Sequence, residues 1–287
     1  MPINTDEIKV WSSLIYNLCG ICLDETKGYL LESRLGNLLN ETNSQTFSEL
    51  YFKVKADGAN VLRRKVIDVL TTGETSFFRD TSPFDLLRNK ILPELIDRRK
   101  KGLTTVLPVP IRIWSAACST GQEVYTIAMV VREMIQGSPL KIDVQITGTD
   151  ISDQALAKAS SGVYTRFEVE RGLPLDKAKK CFTQQGDNFK INDEIRSMAS
   201  FQRINLMDPF DFGNKFDIIF CRNVAIYFQE KDKKILFERL GRALAADGAL
   251  IIGSTESISG LGLNFVPQRY LRTVFYQPGK PGEVGHL

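Results

Sequence analysis

Apolar and polar residues follow a helical period through the first part of the chain, with apolar positions recurring every three or four residues. Asn4 stands where it can cap the first of these segments, and Thr46-Phe-Ser-Glu49 has the spacing of a capping box. The predicted helices cover 5–19, 26–39, a segment opening at Thr46, and Val61 to Leu70. Because no strand pattern appears before residue 105, the N-terminal part is predicted to be a small all-helical domain.

From Ile111 onward, short apolar runs alternate with helical segments. The predicted elements are a strand at 111–115, a helix at 122–136, a strand at 142–149, a helix at 153–160, a strand at 216–221, a helix at 231–245 and a strand at 248–253. This alternation is typical of an α/β fold, in which a mostly parallel sheet carries helices on both faces. A last segment, Tyr270 to Tyr276, predicts a closing antiparallel strand.

The alternation is interrupted between about residues 162 and 204. The β-like pieces Phe189–Ile191 and Phe201–Ile204 flank polar turns there, which predicts a small inserted β-subdomain of antiparallel strands with a helix. Prolines and the basic run Arg98-Arg99-Lys100-Lys101, interpreted as a solvated face, mark a linker with room for one helix. The predicted domains are a helical domain at 1–92, a linker at 93–110 and a sheet domain at 111–280.

Composition narrows the class of protein. Hydrophobic residues make up 43% of the chain and charged residues 25%, as in soluble globular proteins. The net charge of +3 is too small to indicate nucleic-acid binding, and no signal peptide or membrane-spanning run is visible, so no direct membrane insertion is expected. Five scattered cysteines favour the reducing cytoplasm over a disulfide framework. Nothing in the sequence suggests more than a monomer.

Two of these cysteines, Cys19 and Cys22, have the spacing of half a zinc site or of a redox pair. No second pair follows, and the single histidine is His286, close to the end of the sequence. We therefore interpret the two cysteines as small apolar residues at a helix end and predict no metal site.

The strongest chemical signal is the segment Trp114-Ser-Ala-Ala-Cys-Ser-Thr-Gly-Gln-Glu123, which joins a predicted strand to a predicted helix. Small residues such as Gly121 let the backbone approach a ligand closely, and Asp150 follows the next strand, where a carboxylate can accept hydrogen bonds from ribose hydroxyls. The turn lacks the G-x-G-x-x-G spacing that holds a pyrophosphate. An adenosyl ligand without phosphates, with S-adenosylmethionine as the obvious candidate, is therefore expected.

Further polar residues follow other strands of the predicted sheet. Asn205 and Asn223 each come after a β run, and ligands of open α/β sheets gather at the carboxyl ends of the strands. Gly121, Asp150, Asn205 and Asn223 are therefore expected to converge at one edge of the sheet.

Three motifs in this order resemble the CheR family of chemoreceptor glutamate methyltransferases: T-T-G-E-T-S-F-F-R-D at 71–80, W-S-A-A-C-S-T-G-Q-E-V-Y at 114–125 and C-R-N-V-A-I-Y-F at 221–228. The resemblance covers almost the whole chain, to about residue 276. It implies a Rossmann-like S-adenosylmethionine methyltransferase sheet with an inserted β-subdomain, preceded by a helical receptor-docking domain. It also implies methyl transfer to glutamates on the cytoplasmic coiled coil of a chemoreceptor, with S-adenosylhomocysteine as the second product.

The resemblance also implies a set of site residues. Arg79 and Tyr227 would be catalytic. The residues implied at the cofactor are Gly73, Thr75, Arg79, Glu123, Asp150, Asn205, Leu206, Asn223 and Val224. Because a glutamate carboxylate is already anionic at neutral pH, it needs no general base, which suits a chain with a single histidine.

The sequence departs from the family pattern at a few positions. Gly73 stands where Asn or His is more frequent, Val124 replaces a proline, and Ala225 replaces Leu or Met. Some members dock on a receptor C-terminal pentapeptide through extra Gly-rich residues in the inserted subdomain. The segment from Phe182 to Phe189 is short and lacks them, so independence from the pentapeptide is predicted.

Receptor docking would fall to basic positions of the helical domain, although ordinary solvated helix faces explain each of them equally well. The candidates are Lys27, Arg34, Arg63, Arg64 and Lys65. Two other functions stay open: a methyltransferase for a nucleic acid or a small molecule, and a homologue that binds cofactor or receptor without chemistry.

Overall fold

The computed structural model describes residues 2–100, 108–136 and 140–279, so residues 101–107 of the predicted linker and His286 lie outside the described residues. The helices are α1 (Thr5–Cys19), α2 (Gly28–Glu41), α3 (Phe47–Lys55), α4 (Val61–Leu70), α5 (Thr81–Leu86), α6 (Leu92–Lys100), α7 (Gln122–Ile135), α8 (Asp153–Ser161), α9 (Arg166–Glu170), α10 (Leu175–Cys181), α11 (Asp193–Arg196) and α12 (Glu230–Ala243). The strands are β1 (Val109–Ala116), β2 (Ile142–Asp150), β3 (Val163–Thr165), β4 (Phe182–Gln185), β5 (Asn188–Ile191), β6 (Ala199–Arg203), β7 (Phe216–Cys221), β8 (Leu244–Ile252), β9 (Phe265–Tyr270) and β10 (Thr273–Pro278). In the part of the chain so described, no helix is long and apolar enough to cross a membrane.

Helices α1 to α4 form the all-helical domain that the sequence predicts. Asn4 caps α1 through a complete capping box, because its side chain accepts from the Glu7 N–H and the Glu7 carboxylate accepts from the Asn4 N–H. At α3 only half of the box forms. Thr46 accepts from the Glu49 N–H, but the Glu49 carboxylate accepts from the N–H of Gln45, one residue before the cap. Apolar side chains of the four helices share one buried core, which includes Trp11, Leu31, Leu35, Leu50 and Val66.

The helical segment that follows packs against the main sheet. Helix α5, a π-helical turn at Leu87–Ile91 and α6 follow one another directly, and Leu92 and Leu95 are buried in the core around β1. The wider turn directly precedes Pro93, which cannot donate a helical hydrogen bond. The first part of the predicted linker is therefore a packed helix. Its basic end is not simply solvated, since Arg99 pairs with Asp217 and Asp247.

The main sheet has seven strands in the order β6-β2-β1-β7-β8-β10-β9. Strands β6, β2, β1, β7 and β8 run parallel to one another, while β10 is antiparallel to β8 and to β9. From β1 the chain moves outward to β2 and β6, and then returns to β7 on the other side of β1. Ligands of open α/β sheets bind where the strand order reverses in this way, which here is the carboxyl end of β1 and β7.

The predicted interruption contains a three-stranded antiparallel sheet in the order β3-β5-β4, together with α9 and α10. The placement of Phe201–Ile204 in that insertion was wrong, because β6 pairs in parallel with β2 at the edge of the main sheet. A strand at the edge of a sheet has one solvated face, so its sequence alternates apolar and polar residues. This is also the pattern of an antiparallel strand, which explains the wrong placement. The edge strand β9 was not predicted, and it contains Pro267, a residue tolerated at sheet edges and rare within sheets.

Candidate functional site

A cavity of about 740 Å³ opens at the carboxyl ends of β1, β2 and β7, at the point where the strand order reverses. Residues of the helical domain form one of its walls. Gly121, which was expected at this edge as well, lies in the turn after β1 but does not itself line the cavity. The residues predicted at the cofactor and the reaction centre all line it, namely Gly73, Thr75, Arg79, Glu123, Asp150, Asn205, Leu206, Asn223, Val224 and Tyr227.

The turn after β1 reaches the cavity through an unusual backbone path. Ala117, Ser119 and Gly121 all have left-handed φ angles, of 58°, 52° and 92°. At Gly121 a Cβ atom would lie 2.9 Å from the Cβ of Ala159, so a side chain would meet helix α8 as well as backbone strain. Small residues are therefore needed here to bring the turn close to α8 and to the cavity.

Asp150 ties this turn to the end of β2. Its Oδ2 accepts from the Ser119 N–H (2.8 Å) and its Oδ1 from the Ser152 N–H (3.0 Å). Burial raises the pKa of Asp150, and these backbone hydrogen bonds oppose the rise. A carboxylate has about four acceptor positions, so each oxygen can still accept a hydrogen bond from a ligand in the cavity.

Glu123, at the first turn of α7, is already held by the protein. Its Oε1 accepts from the Ser115 hydroxyl (2.8 Å), and its Oε2 accepts from Nη1 of Arg222 (2.8 Å). Arg222 directly follows β7 and is a site residue that sequence reasoning missed. The signal was a charged residue immediately after a fully buried strand, within the motif C-R-N-V-A-I-Y-F.

Arg222 contacts the first motif as well. Its Nη2 donates to the carbonyl oxygen of Arg79 (3.0 Å) and to Oδ2 of Asp80 (2.9 Å), and its guanidinium lies 5.6 Å from the ring centroid of Phe84. The side chain of Arg79 lines the cavity, and its Nη1 donates to the carbonyl oxygen of Glu74 (2.9 Å). Residues from three distant segments therefore meet around one buried guanidinium.

Asn223 and Tyr227 bound the cavity on the β7 side. Asn223 has a left-handed φ of 58°, and its N–H donates to Oε2 of Glu256 (2.7 Å), a second residue that sequence reasoning missed. The same oxygen accepts from the N–H of Gly253 (2.8 Å). The Tyr227 side chain is partly exposed, and its carbonyl oxygen accepts from the N–H of Cys22 (3.0 Å), which joins this wall to the helical domain.

The helical domain makes two further contacts beside the cavity. Asn205 donates through Nδ2 to the carbonyl oxygen of Leu18 (3.1 Å), and Ser152 donates through Oγ to Asp68 (2.7 Å). Of the predicted docking positions, Lys27 and Arg34 line the cavity. Arg34 also donates to the carbonyl oxygen of Leu70 and to the Thr72 hydroxyl. The other three do not line the cavity: Arg63 donates to the carbonyl oxygens of Val54 and Lys55, Arg64 pairs with Asp153, and Lys65 pairs with Glu41.

Thiol chemistry is not a good candidate for this site. Burial raises the pKa of Cys118 well above its usual value, and the charges of Asp150 and Glu123 raise it further. Burial also raises the pKa of Cys19 to about 11, so two of the three thiols that line the cavity, those of Cys19 and Cys118, are protonated at neutral pH. Within the described part of the chain, no group of three or more His, Cys, Asp and Glu side chains could hold a metal ion.

An adenosyl ligand such as S-adenosylmethionine fits this donor set. Asp150 offers acceptors for two ribose hydroxyls, and the cavity has the volume of an ordinary small-molecule site. The N–H groups of Ser119 and Ser152 are both bound to Asp150 itself and are therefore not available to a pyrophosphate.

Comparison with known proteins agrees with this geometry. Residues 73–269 match the family described as CheR methyltransferase, SAM binding domain, and residues 6–71 match CheR methyltransferase, all-alpha domain. The chain is 39% identical to the chemotaxis protein methyltransferase Cher2 of Pseudomonas putida over 85% of this chain and 87% of that protein. It is 38% identical to a chemotaxis protein methyltransferase of Vibrio parahaemolyticus over 96% of this chain and 98% of that one.

Solved structures resemble the chain less closely. Magnesium protoporphyrin IX methyltransferase from Synechocystis PCC 6803 with bound SAM is 13% identical, with a TM-score of 0.35 over 84% of this chain and 93% of that one. The family match alone therefore identifies the sheet domain, which carries the cavity, as an S-adenosylmethionine-binding domain.

Proposed function

Because the chain belongs to the CheR methyltransferase family, we propose that it methylates glutamate side chains on the cytoplasmic coiled coil of chemoreceptors, as a protein-glutamate O-methyltransferase. The observation that carries the proposal is the position of Arg79 and Tyr227. Both line the same cavity as Asp150, and Tyr227 is 37% exposed, so a side chain of a partner can reach it.

The chemistry needs few groups. Bound S-adenosylmethionine supplies a methyl group on a positively charged sulfur, which a carboxylate oxygen accepts as the carbon–sulfur bond breaks. The protein has to hold the glutamate carboxylate in line with that bond and to exclude water from it. Arg79 is suited to fix a carboxylate by charge-assisted hydrogen bonds, and Tyr227 to orient it through its hydroxyl. Neither residue has to move a proton, because the attacking carboxylate is already ionised.

The charge of the cavity supports an acidic protein substrate. Lys27 and Arg34 extend from the helical domain into the cavity wall, next to the segment that carries Arg79. Basic residues at an entrance attract a glutamate-bearing coiled coil and disfavour basic partners. We infer that these two positions contribute to receptor docking, because they line the cavity, whereas Arg63, Arg64 and Lys65 do not.

The proposal includes independence from a receptor pentapeptide. Strands β4 and β5 are joined by the two-residue turn Gly186-Asp187, so the inserted subdomain has no additional loop at this hairpin. Calorimetric titration of the whole protein with an isolated pentapeptide from a tethered receptor should give no heat of binding. Saturable binding at micromolar peptide would contradict this part of the proposal.

The site of action and the oligomeric state are also proposals. All five cysteines are free thiols in the structure, which supports a reducing compartment and therefore the cytoplasm. We propose a monomer as the active form, since residues of one chain surround the whole cavity. Sedimentation at the concentration used for the activity assay tests the second statement directly.

Methyl transfer is the decisive experiment. The purified protein is incubated with methyl-labelled S-adenosylmethionine and the cytoplasmic fragment of a chemoreceptor, and base-labile methyl esters are counted. We expect labelled esters with the wild type and roughly a 100-fold loss in Arg79→Ala. Arg269→Ala, which removes a surface arginine on β9, is the matched control and should keep full activity.

The same experiment separates the competing functions. Binding of S-adenosylmethionine without label in the receptor would favour a methyltransferase for another substrate or a non-catalytic homologue. Transfer of label to a small molecule or a nucleic acid in a cell extract would then distinguish those two alternatives.

A further inference from the structure

We propose that Arg222 is a positioning residue of the methyl-transfer site. Its side chain is only 2% exposed and directly follows the carboxyl end of β7. From there it reaches the turn that carries Arg79 and the first turn of α7, which carries Glu123. Only the rate measurement rests on the proposed function. The geometry around Arg222 can be tested without any methyl acceptor.

The turn around Arg79 needs support from outside. Phe78 and Asp80, on either side of Arg79, have left-handed φ angles of 51° and 55°, which are unfavourable for residues with side chains. Two groups hold this turn. The hydroxyl of Thr126 accepts from the Phe78 N–H (3.1 Å), and Arg222 donates to the Arg79 carbonyl oxygen and to Asp80. The position of the Arg79 side chain therefore depends on Arg222 through the backbone.

Arg222 also controls the charge beside the reacting groups. It neutralises the carboxylates of Glu123 and Asp80, which are both within 2.9 Å of its guanidinium nitrogens. Without this cation, the two negative charges would repel each other and would also repel an incoming glutamate carboxylate. A single buried arginine thus holds the turn of Arg79 and lowers the local negative charge.

The chain contains a matched control at the opposite end of the same strand. Arg99 bridges the carboxylates of Asp217, near the start of β7, and Asp247. It does not line the cavity. Arg99→Met and Arg222→Met therefore remove the same type of ion network from the same strand, once away from the site and once beside it.

Hydrogen exchange tests the geometry without activity. The wild type, Arg222→Met and Arg99→Met are compared by mass spectrometry at a temperature where all three are folded. In Arg222→Met we expect exchange in peptides covering residues 76–80 to accelerate at least about tenfold, with no change in Arg99→Met. Unchanged exchange in Arg222→Met, or equal acceleration in both variants, would overturn the proposal.

A double-mutant cycle tests the functional link to Arg79. We expect Arg222→Met to lower kcat on receptor fragments roughly 10- to 100-fold, but to lower it less than about threefold in the Arg79→Ala background. Arg222→Lys should recover part of the loss, because it restores the charge but not the forked geometry. Losses that multiply in the double variant would show that Arg222 does not act through Arg79. A wild type without receptor methylation would remove the proposed function, and the exchange measurement would then decide this inference alone.

Discussion

Replacing Asp150 by Asn should abolish most of the affinity for S-adenosylmethionine while leaving the protein folded. Asp150 is the acceptor that we expect to bind both ribose hydroxyls. Asparagine has the same shape but carries one acceptor and one donor in place of two acceptors. Both carboxylate oxygens already accept backbone N–H groups, from Ser119 and Ser152, so the amide would also bring a donor against one of these donors.

The magnitude follows from the number of hydrogen bonds lost. A hydrogen bond to a charged group contributes about 1.5–3 kcal/mol, so two ribose hydroxyls account for about 3–6 kcal/mol. Since 1.4 kcal/mol corresponds to a factor of ten, Kd should rise by roughly 100-fold or more. Stability should change much less. The buried carboxylate has a raised pKa, so its charge is disfavoured in the folded state, and its removal partly offsets the lost backbone hydrogen bonds.

Calorimetric titration with S-adenosylhomocysteine, which is not consumed, measures the change in Kd, and thermal unfolding measures stability. Asp153→Asn is the matched control, because Asp153 lies three residues further along, at the start of α8, and pairs with Arg64 and Arg203 on the surface. It should bind like the wild type. If Asp150→Asn bound within threefold of the wild type, the ribose assignment would be wrong.

Three further predictions concern the same site. Because burial raises the pKa of Asp150, affinity for S-adenosylhomocysteine should fall about tenfold per pH unit below that pKa. The contribution of this carboxyl to stability should instead be largest at low pH and be lost as the pH rises through the folded-state pKa. Binding titrations and unfolding curves from pH 4 to 8, with Asp150→Asn as the reference, test both directions. Gly121→Ala should lower stability by about 1–3 kcal/mol, since φ is 92° and a Cβ would lie 2.9 Å from Ala159, whereas Gly36→Ala in the open middle of α2 should raise Tm slightly. Glu256→Ala should weaken cofactor binding roughly tenfold, because the N–H groups of Asn223 and Gly253 lose their acceptor, and binding unchanged in this variant would contradict a role for Glu256 in holding Asn223.

Much of the fold follows from local pattern. The helices of the N-terminal domain and the buried strands β1, β2 and β7 have strong periodic signals, and Asp150 could be placed because it ends a strand. The edge strands β6 and β9 were misplaced or missed, since a half-solvated strand has a weak apolar signal and Pro267 argues against one. The one helix for which the predicted linker left room is α6, and the π-helical turn that precedes it accommodates Pro93.

The residues that sequence reasoning missed have partners far away in the chain. Arg222 lies 99 residues from Glu123 and 142 from Asp80, and no local spacing indicates that these three side chains meet. Glu256 reaches Asn223 across 33 residues, from a turn that reads as an ordinary polar loop. Arg222 lines the cavity and Glu256 lies outside its lining, and both hold groups of the site in place. Such a role depends on tertiary packing and leaves little trace in the periodicity of a single sequence.

The charges along the cavity give the strongest physical reason to expect two reactants of opposite charge. The Asp150 carboxylate lies at the end of β2, where a positively charged sulfonium ligand is favoured, whereas the Glu123 carboxylate is paired with Arg222. The cations Lys27, Arg34 and Arg79 lie toward the helical domain and the first motif, where they favour a carboxylate. Of the two other acids in the lining, Glu74 pairs with Arg171, while Asp68 keeps its charge and accepts from the Ser152 hydroxyl beside Asp150. Charge separation within one cavity therefore supports an anionic methyl acceptor, which a glutamate side chain provides.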